Sequence, residues 1–320
     1  MRSYDLIADV GGTNIRLALV EDSNITEIES FKCADYPSLE EVVAHYVELK
    51  QVKIVNGCFG IAGTIDGTIL KMTNLGWSFS VESVKNALGF ASVSFINDYT
   101  AIAMSLPKLS EKQLTVIHAG QDFPAAPRIV CGPGTGLGLA QLVKVDGYFE
   151  CLSGEGGHVE FAPANPRQIQ LLSALMNKFD RVSAERLLSG QGIVNIYQAI
   201  AFIDGKDPQA FDASQISQGF INQSDSMCIE TMEIFYQVLA QFVGNMVLTT
   251  GAFGGVYIAG GIMPRIIDFI DYQKFIEAYS HKGRFSDYVL KAPVYLITES
   301  QPGLIGASVY LSQQKQKGKI

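Results

Sequence analysis

At 320 residues, with 48% apolar and 18% charged residues, the chain has a globular composition and is long for one hydrophobic core, so two domains are expected. A net charge of −8 without any block of like charge excludes the basic patch that nucleic-acid phosphates require. The five cysteines, Cys33, Cys58, Cys131, Cys151 and Cys228, are widely spaced and include no Cys-x-x-Cys pair. They argue against a disulfide framework or a cysteine zinc site and for reduced thiols in a cytoplasm. Asp5 and Asp9 interrupt the first apolar run, so no signal peptide is expected.

Residues 4–10 are β-prone, Gly11-Gly12-Thr13 follows, and residues 15–20 are β-prone again, so the chain opens on a hairpin around a glycine turn. Ser38, Glu40 and Glu41 predict a helix over about 38–50. Strands are expected at about 53–62 and 92–96, helices at about 81–89 and 99–106. Residues 128–143 repeat the opening theme: a strand, the turn Gly132-Pro133-Gly134-Thr135-Gly136, and a second strand. Two glycine-tipped hairpins roughly a domain length apart suggest an internal duplication into two α/β lobes. Beyond them the pattern predicts helices at about 166–178, 184–203 and 227–249, a strand at 256–259 and a helix from Pro264. A last strand near 293–297 and a helix at about 303–314 complete the α/β alternation. No charged residue lies between Ile234 and Pro264, a span long enough to cross a bilayer. However, Glu230, Glu233, Gln237, Gln241 and Asn245 form a polar stripe, and Gly251, Gly254 and Gly255 break the run. The segment therefore reads as an amphipathic helix, a glycine turn and a strand, with no membrane span.

Five segments carry candidate chemistry. Glycine at every second position from Gly132 to Gly138 would let backbone N–H groups approach an anion. No Gly-Lys-Ser/Thr follows, and the next element is a strand, so neither a Walker A loop nor a dinucleotide fingerprint fits. The plainer alternative is a tight hairpin that needs positive φ angles. Asn97-Asp98 falls where a strand gives way to a helix, the place where α/β proteins hold ligands, though an aspartate there also suits an N-cap. Gly154-Glu155-Gly156-Gly157-His158 contains a Glu-x-x-His pair, but three glycines oppose the helix that a metal site of this kind uses. A shaped loop that presents Glu155 and His158 to vicinal hydroxyls fits better. Glu185, locally, reads as a charge suited to a helix N-terminus. Gly260-Gly261 before Pro264 reads either as an anion or nucleotide site behind a helix start or as ordinary strand-to-helix packing.

Taken together these segments resemble the bacterial glucokinase family, within the actin–hexokinase–heat-shock ATPase superfamily. The resemblance runs through Asp9-Val10-Gly11-Gly12-Thr13-Asn14-x-Arg16, Met72-Thr73-Asn74-x-x-Trp77 and Ile96-Asn97-Asp98-x-Thr100-Ala101. It continues with Gly134-Thr135-Gly136-Leu137-Gly138, Gly154-Glu155-Gly156-Gly157-His158-Val159, Val182-Ser183-Ala184-Glu185-Arg186 and Phe253-Gly254-Gly255-Val256-x-Ile258-Ala259-Gly260-Gly261. It implies a two-lobed actin-like ATPase (ribonuclease H-like) fold with the active site in the interlobe cleft. The small lobe would be residues 1–108 plus the C-terminal helix within 300–320, and the large lobe residues 109–299.

The resemblance also implies ATP-dependent phosphorylation of glucose at its 6-hydroxyl. Asp98 would be the catalytic base, and Asn97, Asp98, Glu155, His158 and Glu185 would contact the sugar. Gly11, Gly12, Thr13 and Asn14 would form a first phosphate loop and Gly134, Thr135 and Gly136 a second. Gly254, Gly255 and Gly260 would lie along the adenosine, and Asp9 would position Mg²⁺ through water. The cysteine cluster of the related repressor and kinase family is missing after His158, so zinc is not expected. Trp77, the single tryptophan, falls in the segment resembling the family's sugar-side loop, so its fluorescence is expected to report glucose. Glucose and ATP are the expected partners, in the cytoplasm, with a homodimer left open and neither nucleic acid nor membrane involved. Another hexose or amino-sugar kinase, a non-catalytic sugar sensor, or an ATPase acting on protein clients would share such a fold. Asp98 together with two glycine loops argues against the sensor.

Overall fold

The computed structural model describes residues 2–63, 69–72 and 76–320. In chain order it contains β1 (Ser3–Val10), β2 (Asn14–Glu21), β3 (Asn24–Lys32), α1 (Leu39–Lys50), β4 (Lys53–Ile61), β5 (Ile69–Met72), β6 (Trp77–Ser80), α2 (Val81–Leu88), β7 (Ser92–Asn97) and α3 (Asp98–Ser105). There follow β8 (Leu114–His118), β9 (Arg128–Pro133), β10 (Leu137–Val145), β11 (Tyr148–Ser153), α4 (Pro166–Met176), α5 (Gly190–Asp204), α6 (Ala213–Ile221) and α7 (Ser226–Thr250). The chain continues through β12 (Val256–Ile258), α8 (Met263–Ile266), α9 (Tyr272–Ser280), α10 (Ser286–Val289), β13 (Val294–Ile297) and α11 (Pro302–Gln316). Contacts divide it into two units. The first is Met1–Ser110, Val145–Ser153 and Glu299–Ile320, and the second is Glu111–Lys144 and Gly154–Thr298. Val145–Ser153 therefore groups with the first unit, although its position in the sequence suggested the second.

The first unit is built on a sheet of order β3-β2-β1-β4-β7. β1 pairs antiparallel with β2 and parallel with β4, and β4 pairs parallel with β7. One face packs Leu6, Ala8, Leu17 and Phe59 against Val42, Val43 and Tyr46 of α1. Ser38 starts α1 by accepting the Glu41 N–H at 3.2 Å, the cap its sequence predicted. On another face Ile7, Cys58 and Ile96 meet Ala101 of α3 and Leu304, Ala307 and Leu311 of α11. α11 lies close against α3 because Gly306 has no side chain: a Cβ there would stand 1.5 Å from the Ala101 carbonyl oxygen. Trp77 is buried in this unit and donates its indole N–H to the Tyr36 carbonyl at 3.3 Å. Thr73 and Asn74 of the same motif lie outside the described residues.

In the second unit the strands run β10-β9-β12-β13-β8. β9 pairs antiparallel with β10 and parallel with β12, and β12 pairs parallel with β13. This is the pattern of β2-β1-β4-β7, so the duplication suggested by the two hairpins extends to four strands. The long helix α7 is buried along most of its length and forms the centre of a core with α5, α6 and α9. Its polar stripe is held by ion pairs: Glu230 to Arg167 at 2.7 Å and Glu233 to Lys274 at 2.7 Å. Among the described residues no helix is long and apolar enough to cross a membrane.

Candidate active site

In the first unit, candidate residues lie at the carboxyl edge of its parallel strands. Asp9 is the penultimate residue of β1, and Asn97 ends β7. Register places Asp9 beside Gly60 and Gly60 beside Ile96, so the ends of β1 and β7 lie two strand spacings, about 10 Å, apart. The Gly11-Gly12-Thr13 turn is closed by the Gly11 N–H donating to the Asn14 carbonyl at 3.0 Å. Neither glycine has a positive φ. The hairpin pairs Asp9 with Arg16, and an ion pair of 3.3 Å joins them. Arg16 has no role assigned by its motif; its hairpin register opposite Asp9 was the available signal. Burial nevertheless raises the Asp9 carboxyl above its usual range, with the Arg16 charge opposing.

Asn97, and not Asp98, caps α3: its Oδ1 accepts the N–H groups of Tyr99 at 2.9 Å and Thr100 at 3.3 Å. Its Nδ2 donates to the Gly63 carbonyl at 3.0 Å. The capping alternative for Asp98 is thereby filled by its neighbour. Asp98 is the first helical residue, and its Oδ1 accepts the Tyr99 N–H at 2.9 Å. Its carboxyl is pushed up to about 6, first by burial and further by the Asp9 charge, with the Tyr99 hydrogen bond opposing. A carboxylate with such a value can take a proton near neutral pH.

The second unit carries its own group of candidate residues. The β9–β10 turn is closed by the Gly134 N–H donating to the Gly136 carbonyl at 2.8 Å. Gly132, Gly134, Gly136 and Gly138 are all without positive φ, and a Cβ at Gly134 would meet nothing within 4 Å, so it is Gly136 that answers to space. A Cβ at Gly136 would stand 2.6 Å from Oε2 of Glu185. That same oxygen accepts the Leu137 N–H at 2.9 Å.

Glu185 therefore does not serve a helix dipole. The helix expected at 184–203 is a 3₁₀ turn over Ala184–Arg186 followed by α5, which starts afresh where Ser189 accepts the Gly192 N–H. The Glu155–His158 segment is also a loop, with a 3₁₀ turn at Gly156–His158. A Cβ at Gly157 would fall 2.1 Å from the Leu137 carbonyl, and one at Gly156 would fall 2.2 Å from Leu139, so the loop is seated directly on β10. Backbone bonds from Phe161 N–H to Val182 and from Ala184 N–H to Val159 then bring Nδ1 of His158 to 4.0 Å from Oε1 of Glu185. Arg181 reinforces the pairing through Glu160 and the His158 carbonyl; local sequence gave no sign of it. Glu155 and His158 are exposed.

Gly254, Gly255 and Gly260 are also placed by packing. A Cβ at Gly254 would lie 2.5 Å from the Ala126 carbonyl oxygen, and one at Gly260 would lie 2.4 Å from that of Pro133. Gly255 and Gly260 have φ of 123° and 83°. Gly260 thus abuts the Gly132–Pro133 end of the β9–β10 turn. The helix after it, α8, is a single turn, too short to act as an anion-binding helix start. Among the described residues no group of three or more His, Cys, Asp or Glu side chains is arranged to hold a metal ion.

Residues 6–314 match the family model described as Glucokinase. A glucokinase of Photorhabdus laumondii subsp. laumondii is 42% identical over 316 residues, covering 98% of each chain. One of Colwellia psychrerythraea is 44% identical over 317 residues, covering 97% of this chain and 96% of that one. A solved glucokinase from an Antarctic psychrotroph superposes with a TM-score of 0.90 at 36% identity, over 98% of this chain and 100% of its own. The Balamuthia mandrillaris glucokinase solved with glucose shares the fold at a TM-score of 0.80 and 18% identity, over 97% and 94% of the two chains. The architecture is the actin-like ATPase fold. Matched along nearly its whole length by the family model and by relatives at 42–44% identity, the chain belongs to the glucokinase family.

Proposed function

We propose that this chain transfers the γ-phosphoryl group of ATP to the 6-hydroxyl of D-glucose, giving glucose 6-phosphate and ADP. The observation that carries the reading is Asp98. It is a carboxylate at a strand-to-helix junction, relieved of the capping duty by Asn97 and held by burial at about 6. It would accept the hydroxyl proton as the oxygen attacks phosphorus. Glu155, His158 and Glu185 would bind other sugar hydroxyls, while the cap formed by Asn97 would keep Asp98 aimed. The N–H groups of Gly11 and Gly134 are spent closing their turns, so the phosphate contacts would come from Gly12 to Asn14 and from Thr135 and Gly136. Gly254, Gly255 and Gly260 would pass along the adenosine.

A divalent cation fits the carboxyl edge of the first unit's sheet by its chemistry. Asp9 and Asp98 are hard oxygen donors whose mutual charge is unfavourable, and Gly303 leaves the Asp9 carboxylate room, since a Cβ there would stand 3.2 Å from its Cγ. Mg²⁺ bound with the nucleotide would offset phosphate charge, with Asp9 orienting it through water. The deciding experiment is coupled ADP release with and without glucose, followed by a panel of hexoses and amino sugars. Glucose-dependent ADP release with glucose preferred supports the reading. Release without sugar dependence overturns it, and preference for another sugar reassigns the substrate.

A further inference from the structure

The segment 185–190 touches the second phosphate loop at both ends. At one end Oε2 of Glu185 accepts the Leu137 N–H at 2.9 Å and fills the space that a Gly136 side chain would need. At the other the Gly190 N–H donates to the Gly134 carbonyl at 2.8 Å. The Glu185 carbonyl is itself held by the Ser189 hydroxyl at 2.9 Å. The other carboxylate oxygen, Oε1, faces His158. One carboxylate thus has an oxygen on the nucleotide loop and an oxygen on the sugar-reading side.

We propose that Glu185 is a positioning residue that couples hexose occupancy to nucleotide affinity through the Pro133–Leu137 turn. The inference rests on the glucokinase reading above. An anionic carboxylate pressed against a loop that receives a triphosphate opposes nucleotide binding through like charge. Sugar hydroxyls donating to Oε1 disperse that charge and fix the carboxylate on the Leu137 N–H. Glucose therefore strengthens ATP binding, and ATP strengthens glucose binding by the same factor. The device disfavours ATP in the sugar-free site, where water could accept its phosphate. Gly136 is glycine because Glu185 needs the room.

The test is calorimetry on the full chain with Mg²⁺ and an ATP analogue bearing a β–γ imide bridge, with and without saturating glucose. In the wild type glucose should tighten the analogue by about 5–50-fold. Glu185→Gln keeps the shape and an acceptor for Leu137 but removes the charge. It should tighten the analogue several-fold in the absence of glucose, bring the coupling factor to within about twofold of one, and weaken glucose. A residue with only a structural role would not improve nucleotide binding. Gly136→Ala, a change in the nucleotide loop, should raise the glucose KM by roughly tenfold by displacing Glu185. A wild type that phosphorylates glucose with a coupling factor of one, or a Glu185→Gln variant with unchanged coupling, would overturn the inference alone. Intact coupling without phosphoryl transfer would support it and count against the kinase reading.

Discussion

Asn97 caps α3 and Asp98 supplies its first residue, and this division of labour separates two effects of one substitution. Asp98→Asn keeps the cap and the acceptor for the Tyr99 N–H but cannot accept a proton. Turnover should fall by about 10²–10⁴-fold while glucose still binds by calorimetry. Because the folded protein holds the Asp98 proton to about pH 6, well above an unfolded aspartate, its contribution to stability is complete below about pH 4 and is lost as pH rises through 6. Removing the charge should therefore raise the melting temperature above pH 6, by an amount corresponding to about 1–3 kcal/mol after allowance for solvent. Wild-type kcat/KM should fall on acidification with a midpoint near 6. Turnover within a few-fold of wild type in Asp98→Asn, or a flat profile between pH 5 and 7, would remove Asp98 as the base.

At the level of elements, two glycines one turn apart on α11 have different duties. A Cβ at Gly306 would overlap the Ala101 carbonyl, whereas one at Gly303 would only crowd Asp9. Gly306→Ala should destabilise the fold by about 3 kcal/mol or more and lower the melting temperature by several degrees. Gly303→Ala should leave melting nearly unchanged and raise the KM for Mg·ATP by roughly tenfold. The reverse pattern would mean that α11 does not hold Asp9. Neither duty could be read from the sequence, because close approach between helices leaves no local mark. Turns without glycine were similarly silent. β3 follows Asp22 and Ser23, both with positive φ, and the absence of glycine there hid a strand whose alternating residues otherwise suited an edge. α9 had its signal in Asp271, which caps Gln273 and Lys274. The candidate site was more legible than the elements around it, since Asp9, Asp98, Glu155, His158 and Glu185 all fall within motifs. What the motifs could not reveal was that Glu185 faces β10, a contact 48 residues away along the chain.

For the whole molecule, the cores of two units built on the same strand order enclose most of the thiols. Cys33, Cys58, Cys131 and Cys228 are buried and only Cys151 is partly exposed, and burial raises all five thiols above their usual range. An aromatic disulfide reagent should modify at most one cysteine in the native protein, slowly, and that one should be Cys151 by peptide mapping. In guanidinium all five should react. Rapid native modification of two or more would show that one of the cores opens readily.

The core that joins Ile7, Cys58 and Ile96 to Leu304, Ala307 and Leu311 sets an order of events during synthesis. Ala101 leaves the ribosome about 200 residues before the α11 residues that cover it, an interval of roughly 10–40 s at ordinary elongation rates. Throughout that time α3 has no partner on one side, while every residue of the second unit emerges and is free to fold. The first body to begin is thus the last to be finished. A ribosome stalled before residue 302 would carry a nascent chain whose second unit resists protease and whose α3 face remains open to chaperones.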